Sequence, residues 1–192
     1  MNRIVALLLS LLFTSIATGA NEGTGLKAGV FSPPRLAPEF SLRGSDGAEL
    51  KLSRYRGKVV LLAFGFTHCS EVCPVTLAVL AQARKQLGVA GNEMQVVYVT
   101  VDPERDNAEY MRKYLSGFDT TFIGGTGLPD QLAAVRKNYG VVANKVASAG
   151  GYSVDHSSYV YLIDRRGNLR AMMPYGHSAG DYVHDVKILL KQ

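Results

Sequence analysis

The chain has two cysteines, Cys69 and Cys73, set four positions apart in Gly65-Phe66-Thr67-His68-Cys69-Ser70-Glu71-Val72-Cys73-Pro74. An apolar run from Lys58 to Phe64 precedes them, and a helical pattern from Val75 to about Leu87 follows. Proline is favoured in the first turn of a helix, where its missing N–H is an orphan anyway. The sequence therefore predicts a helix that starts near Pro74 with Cys73 at its cap. The unpaired N–H groups and the dipole of such an end stabilise negative charge, which lowers the pKa of a nearby thiol. Thiolate is the form that binds metal or attacks a disulfide. Side chains four apart on a helical turn have Cβ atoms about 5–6 Å apart, beyond the roughly 3.5–4.5 Å of a disulfide. A bridge thus requires Cys69 to lie in the loop before the helix. Two metal ligands, a redox couple and a structural bridge all stay open on these residues. A staple gains most by closing a long loop, and this one would close a very short one, which favours chemistry.

The elements around the pair must form a scaffold that presents it. Lys58–Phe64 reads as a buried strand, and Met94–Val101 as a second one ending in Asp102-Pro103-Glu104-Arg105. Strand, helix and strand at this spacing imply a right-handed crossover and a parallel pair. The cysteine loop then sits at the C-terminal end of the sheet, where open α/β folds place their ligands. Residues 37–43 and 48–52 alternate around Gly44-Ser45-Asp46-Gly47 as an N-terminal β-hairpin. Asp106-Asn107-Ala108-Glu109 reads as a capping box opening a helix to about Leu115. A short strand at 120–124 and a helix from Leu128 to Tyr139, with Gly140 as C-cap, come next. Residues 141–152 carry no clear pattern and amount to a loose hairpin. Ser158–Asp164 and Leu169–Tyr175 form a hairpin, and a helix from about Ala179 to Leu190 closes the chain. These elements predict an α/β fold over residues 37–192: a thioredoxin-like three-layer sandwich with a central mixed sheet, an N-terminal β-hairpin and an inserted helix.

At 192 residues, 47% hydrophobic and 19% charged, the chain buries a sizeable core without needing a staple or a metal to fold. Its net charge of +5 is spread, with basic residues clustering no further than pairs such as Arg165-Arg166, so nucleic acid is not an expected partner. Residues 1–20 carry a short basic start, an apolar run and small residues at Ala17-Thr18-Gly19-Ala20, the pattern of a secretory signal peptide, with an uncleaved anchor as the alternative. No cysteine lies near that cleavage point, so a lipoprotein anchor is not expected there. Membrane contact is expected only if the segment stays uncleaved. Residues 21–36 read as a glycine- and proline-rich linker. The expected location is periplasmic or otherwise extracytoplasmic, in an oxidising space.

Two thiolates under-coordinate an ion, so a third ligand is needed. Of the four histidines, His156 stands just before the strand at 158–164, which in a thioredoxin-like sheet lies beside the cysteine turn. Thioredoxins carry a cis-proline at that point, and here Asp155-His156-Ser157 replaces it. His156 is the candidate ligand, in a loop facing the thiols, and Asp155 could orient its ring or stabilise a turn. His68 fits docking or an indirect role, and His177 and His184 fit the surface. Sulfur with imidazole selects Cu(I), Zn or related soft ions, and an extracytoplasmic setting favours copper. An open three-ligand face lets a partner's ligand enter and take the ion. A peroxidase would rest only on Thr67 beside Cys69.

Gly65 to Pro74, Val99-Thr100-Val101-Asp102-Pro103-Glu104-Arg105-Asp106, Val154-Asp155-His156-Ser157 and Tyr161-Leu162-Ile163-Asp164-Arg165-Arg166-Gly167 together resemble the Sco/SenC family. Those proteins are thioredoxin-like copper chaperones for the binuclear copper site of cytochrome c oxidase. The resemblance covers about residues 36–190. It implies that Cys69, Cys73 and His156 bind one copper ion per chain, as Cu(I), Cu(II) or both, and that Asp102-Pro103-Glu104-Arg105 shapes the surface beside the site. The implied partners are an apo copper-site subunit of the oxidase or another copper protein, and a protein that reduces the thiols. The alternative is an enzyme, a thiol-disulfide oxidoreductase acting through Cys69 and Cys73 on a partner's cysteines. Ser70-Glu71 departs from the family's usual Pro-Asp: the acidic character is kept and the stiffening proline is lost.

Overall fold

The computed structural model describes residues 25–148 and 151–192. The expected signal-peptide segment 1–20 and the first residues of the expected linker lie outside them. Among the described residues no helix is long and apolar enough to cross a membrane.

The centre is an eight-stranded sheet in the order β1-β10-β9-β4-β5-β6-β2-β3. Its strands are β1 (Gly29–Leu36), β2 (Leu42–Gly44), β3 (Glu49–Leu50), β4 (Val59–Gly65), β5 (Met94–Thr100), β6 (Ile123–Thr126), β9 (Tyr159–Ile163) and β10 (Asn168–Pro174). Two further strands, β7 (Ala143–Ser148) and β8 (Gly151–His156), pair only with each other. The helices are α1 (Val72–Leu87), α2 (Ala108–Ser116), α3 (Pro129–Tyr139) and α4 (Ala179–Leu190).

Strands β4, β5 and β6 run parallel, and β9 flanks β4 antiparallel. Every residue of β4 and β5 is buried, as expected of parallel strands covered on both faces. Side chains alternate across a strand, so Phe64 and Gly65 point to opposite faces. Gly65 faces α1, because a Cβ there would meet Cys73 Sγ at 2.9 Å and overlap the Tyr98 hydroxyl. Phe64 faces the other way, onto Tyr139 at the end of α3, with ring centroids 5.6 Å apart. Helix α4 packs on α1, and α2 lies close on β6, where a Cβ at Gly124 would meet Met111 Cε at 2.9 Å. This is the expected thioredoxin-like layering, with helices on both faces of a mixed sheet.

Several local expectations are corrected. The linker reading fails over Gly29–Leu36, which form β1 and pair with β10 across a register shift between Val30 and Arg35. This edge strand buries no side chain and holds Pro33-Pro34, so it carries neither alternation nor a strand composition. Its N-terminal end is tied down by the buried Asp185 of α4, which accepts the N–H groups of Lys27 and Ala28 at 2.8 and 2.9 Å. The N-terminal hairpin is shorter than expected and is the far edge of the main sheet, since β2 also pairs with β6. Helix α2 opens on Asn107, whose side chain accepts the Tyr110 N–H at 2.8 Å, and Asp106 serves a different purpose. Helix α1 starts at Val72, so Cys73 lies inside its first turn and is not the cap.

Candidate metal centre

The strand-to-helix turn after β4 is held from below by one buried carboxylate. Asp106 Oδ2 accepts the Thr67 N–H at 3.0 Å and the Thr100 hydroxyl at 2.7 Å, while Oδ1 accepts the Thr67 hydroxyl at 2.5 Å. The second residue beyond β4 and the last residue of β5 are thereby clamped to one group. Hydrogen bonds to a charged partner contribute about 1.5–3 kcal/mol each, so the platform under the cysteines is well fixed. Since the Thr67 proton goes to Asp106, the Thr67 oxygen accepts from His68 Nδ1 at 3.1 Å. The His68 ring stacks on Tyr110 with centroids 5.6 Å apart and takes no part in the sulfur cluster. The Thr67 hydroxyl is committed to Asp106, which removes the basis for a peroxidase. His177 and His184 pair with Asp181 and Asp185 of α4, away from the site.

Both cysteines are free thiols, Cys69 half-buried and Cys73 buried. Helix α1 explains their asymmetry. The Cys73 N–H, in the first turn, points at Cys69 Sγ from 3.4 Å. Cys69 ionises readily, its pKa lowered to about 3, mainly because the Cys73 thiol donates to it, with help from the N–H groups of Cys73 and Glu71. Cys73 is pushed far up, because its proton is held by the Cys69 thiolate and because it is buried. The helix terminus therefore favours the anion on Cys69, where the sequence placed the capped thiol at Cys73. Burial also drives the neighbouring Tyr98 hydroxyl upward, so it stays neutral and donates to the Phe66 carbonyl at 3.3 Å.

His156 reaches the pair from the end of β8, not from a loop. Its Nε2 lies 3.5 Å from Cys73 Sγ. Its Nδ1 lies 3.0 Å from the Ser157 carbonyl; a carbonyl only accepts, so Nδ1 carries the proton and Nε2 offers its lone pair to the sulfurs. The ring stands edge-on to Phe66 with centroids 6.0 Å apart. Asp155 does not orient it: successive strand residues face opposite sides, and Asp155 is exposed. The ligand atoms of Cys69, Cys73 and His156 all lie within 4.8 Å of one another, the one such group of three among the described residues. A soft ion held tetrahedrally with bonds of about 2.0–2.3 Å spans ligand atoms roughly 3.3–3.8 Å apart, which brackets the Cys73–His156 spacing.

The strand pair that carries His156 is fastened to the loop after β5. Asp102, fully buried, accepts from Arg105 Nε and from the Tyr152 hydroxyl, the latter at 2.8 Å. The Arg105 guanidinium lies 3.9 Å from the centroid of the Tyr152 ring and 5.6 Å from that of Phe66. The expectation that Asp102-Pro103-Glu104-Arg105 shapes the surface beside the site thus takes a specific form. Neither the Asp106 clamp nor Tyr152 is evident in the sequence. The nearest signal is a polar residue, Thr67 or Thr100, at the end of each long apolar run.

The family model SCO1/SenC matches residues 31–191. A curated mouse protein, the mitochondrial SCO2 homolog, is 34% identical over 153 residues, covering 78% of this chain and 60% of that protein. An Arabidopsis thaliana mitochondrial protein, SCO1 homolog 1, is 35% identical over 151 residues, covering 78% of this chain and 43% of its own length. The chain thus spans less than two thirds of both curated relatives. The structure of Bradyrhizobium japonicum ScoI with copper bound superposes with a TM-score of 0.74 at 32% identity, over 80% of this chain and 99% of that one.

Proposed function

The chain belongs to the SCO1/SenC family, and from that membership and the geometry of its site we propose that it is an extracytoplasmic copper-binding metallochaperone. Cys69, Cys73 and His156 hold one copper ion, which passes to an apo copper protein, with the binuclear copper site of cytochrome c oxidase as the recipient that the family resemblance implies. Residues 1–20 act as the export signal. The observation that carries the proposal is the convergence of two sulfurs and an imidazole nitrogen within 4.8 Å. The copper-bound relative supports the choice of ion.

The chain's own residues suit a transferable cargo. Cys69 arrives ionised, Cys73 gives up its proton when the ion binds, and the Ser157 carbonyl fixes the His156 tautomer that offers Nε2. Three protein ligands leave the ion an open face, through which a recipient's ligands enter one at a time as these leave. Tyr159 and Tyr175, exposed beside the site, give a protein partner an amphipathic rim to rest on.

The ionised, half-buried Cys69 beside the protonated Cys73 also favours a second reading, a thiol-disulfide reductase. The Cys69 thiolate would attack a partner's disulfide, forming a mixed disulfide and releasing one partner thiolate. Cys73 would then lose its proton and attack Cys69 Sγ, releasing the second. The partner gains two electrons, and this chain ends with a Cys69–Cys73 disulfide.

His156 separates the two. His156→Ala should abolish tight, one-to-one copper binding while leaving disulfide exchange intact, read by titrating the purified, reduced protein with copper under elemental analysis, absorption and EPR. Copper retention that survives this substitution would overturn the ligand assignment.

A further inference from the structure

His156 is the third of three side chains that β8 turns inward. Tyr152, Val154 and His156 alternate with Ser153 and the exposed Asp155, and Val154 plugs into the core. Strand β8 pairs only with β7, outside the eight-stranded sheet. No ladder to the main sheet fixes the height of the imidazole above the sulfurs. At its base the arm is closed by the Ser157 N–H to the Val142 carbonyl at 3.0 Å and the Val142 N–H to Ser157 Oγ at 3.1 Å. Toward its other end, the Tyr152 ring carries the Arg105 guanidinium, its hydroxyl bonds the buried Asp102, and its carbonyl accepts from Arg105 Nη1 at 3.1 Å.

We propose that Tyr152 and Arg105 form a latch that positions His156 for the ion. The proposal rests on the copper-ligand reading above. Residue 152 is fastened at one end of the inward face and residue 156 reaches the sulfurs at the other, so the strand transmits the placement. Phe66 adds a second route, with Arg105 against its ring and the edge-on contact of His156. Arg105 Nη2 is buried without a partner among the described residues. Lys145 of the same arm is a lesser tether: it lies 4.5 Å from the centroid of the Tyr152 ring and pairs with Glu104 of the loop after β5 at 2.6 Å, with side chains 48% and 63% exposed.

The test uses the full chain with Tyr152→Phe, Arg105→Gln, Lys145→Ala and His156→Ala. In the metal-free protein, Tyr152→Phe and Arg105→Gln should raise amide hydrogen exchange in residues 143–156 about tenfold and leave β4 and β5 unchanged. In competition titrations with a chromophoric Cu(I) chelator they should weaken affinity about tenfold, as loss of an outer partner of a ligand does. Tyr152→Phe should add nothing on top of His156→Ala, and Lys145→Ala should stay within twofold. The latch is refuted if Tyr152→Phe leaves arm exchange within twofold of the parent, or if Lys145→Ala matches its effect. Unchanged copper affinity in His156→Ala instead refutes the ligand reading alone, because the exchange arm then judges the latch separately.

Discussion

The two halves of the site are built differently. Cys69 and Cys73 belong to a turn between a fully buried strand and a helix, and the ground beneath it is clamped by Asp106 to the end of the adjacent strand. His156 belongs to a two-stranded arm with no ladder to the main sheet, held by its base and by side-chain contacts. A two-stranded ribbon is marginal alone in water, whereas strands inside a large sheet open only with the whole domain. The sulfurs rest on the clamped ground of the core, and the imidazole on an arm tied to it by fewer contacts. On the copper-carrier reading proposed above, that division lets His156 leave the ion while the thiols stay in place.

The largest consequence on the fixed side is chemical. Cys69 should react with iodoacetamide at a rate nearly independent of pH from about pH 8 down to about pH 4, because its thiolate persists until its pKa of about 3. An ordinary thiol, with a pKa of about 8.5, slows tenfold per unit below that value. Cys73, protonated and buried, should stay unlabelled over the same range. Peptide mapping after timed labelling checks both. Equal labelling of the two, or a Cys69 rate that tracks an ordinary thiol, would remove the asymmetry assigned to the helix terminus.

A thermal effect comes next. Asp106→Asn keeps the shape but turns an amide toward three donors, which costs about 1.5–3 kcal/mol at one buried hydrogen-bonded charge. For a domain of this size the melting temperature should fall by roughly 3–12 °C. Calorimetry reads that loss, and hydrogen exchange should localise the change to the ends of β4 and β5, with residues 143–156 unaffected. Loosening of the arm to the same degree would show that the two halves are one cooperative unit.

That same division decided what the sequence could reveal. The strands at Val59–Gly65 and Met94–Thr100 were legible because buried parallel strands are continuous apolar runs, and the turn between them carries the cysteines. His156 was legible through its place before β9 and through the family resemblance, which the match over residues 31–191 supports. The arm itself was legible only as a loose hairpin over 141–152, short of its end at His156, since β7 and β8 bury one side chain between them, Val154, and so show no alternation. Asp106 was misread because it stands one residue before a true N-cap and mimics one. Its partner Thr67 is 39 residues away, beyond any local pattern. The strand Gly29–Leu36 was hidden by its two prolines and by exposure on both faces.

The smallest expected effect makes the sharpest contrast within the arm. Asp155 adjoins the ligand in sequence, and a neighbouring carboxylate is the usual partner of a metal-bound imidazole. Here strand alternation turns Asp155 to solvent, and the Ser157 carbonyl takes its place at Nδ1. Asp155→Ala should therefore leave Cu(I) affinity within twofold of the parent and the pH at which binding is lost unchanged. Tyr152, four residues from the ligand but on its face of the strand, should matter more than the residue beside it. If Asp155→Ala weakens copper as much as Tyr152→Phe does, the arm turns over to bring its other face to the ion, and inward placement of Tyr152, Val154 and His156 does not govern the site.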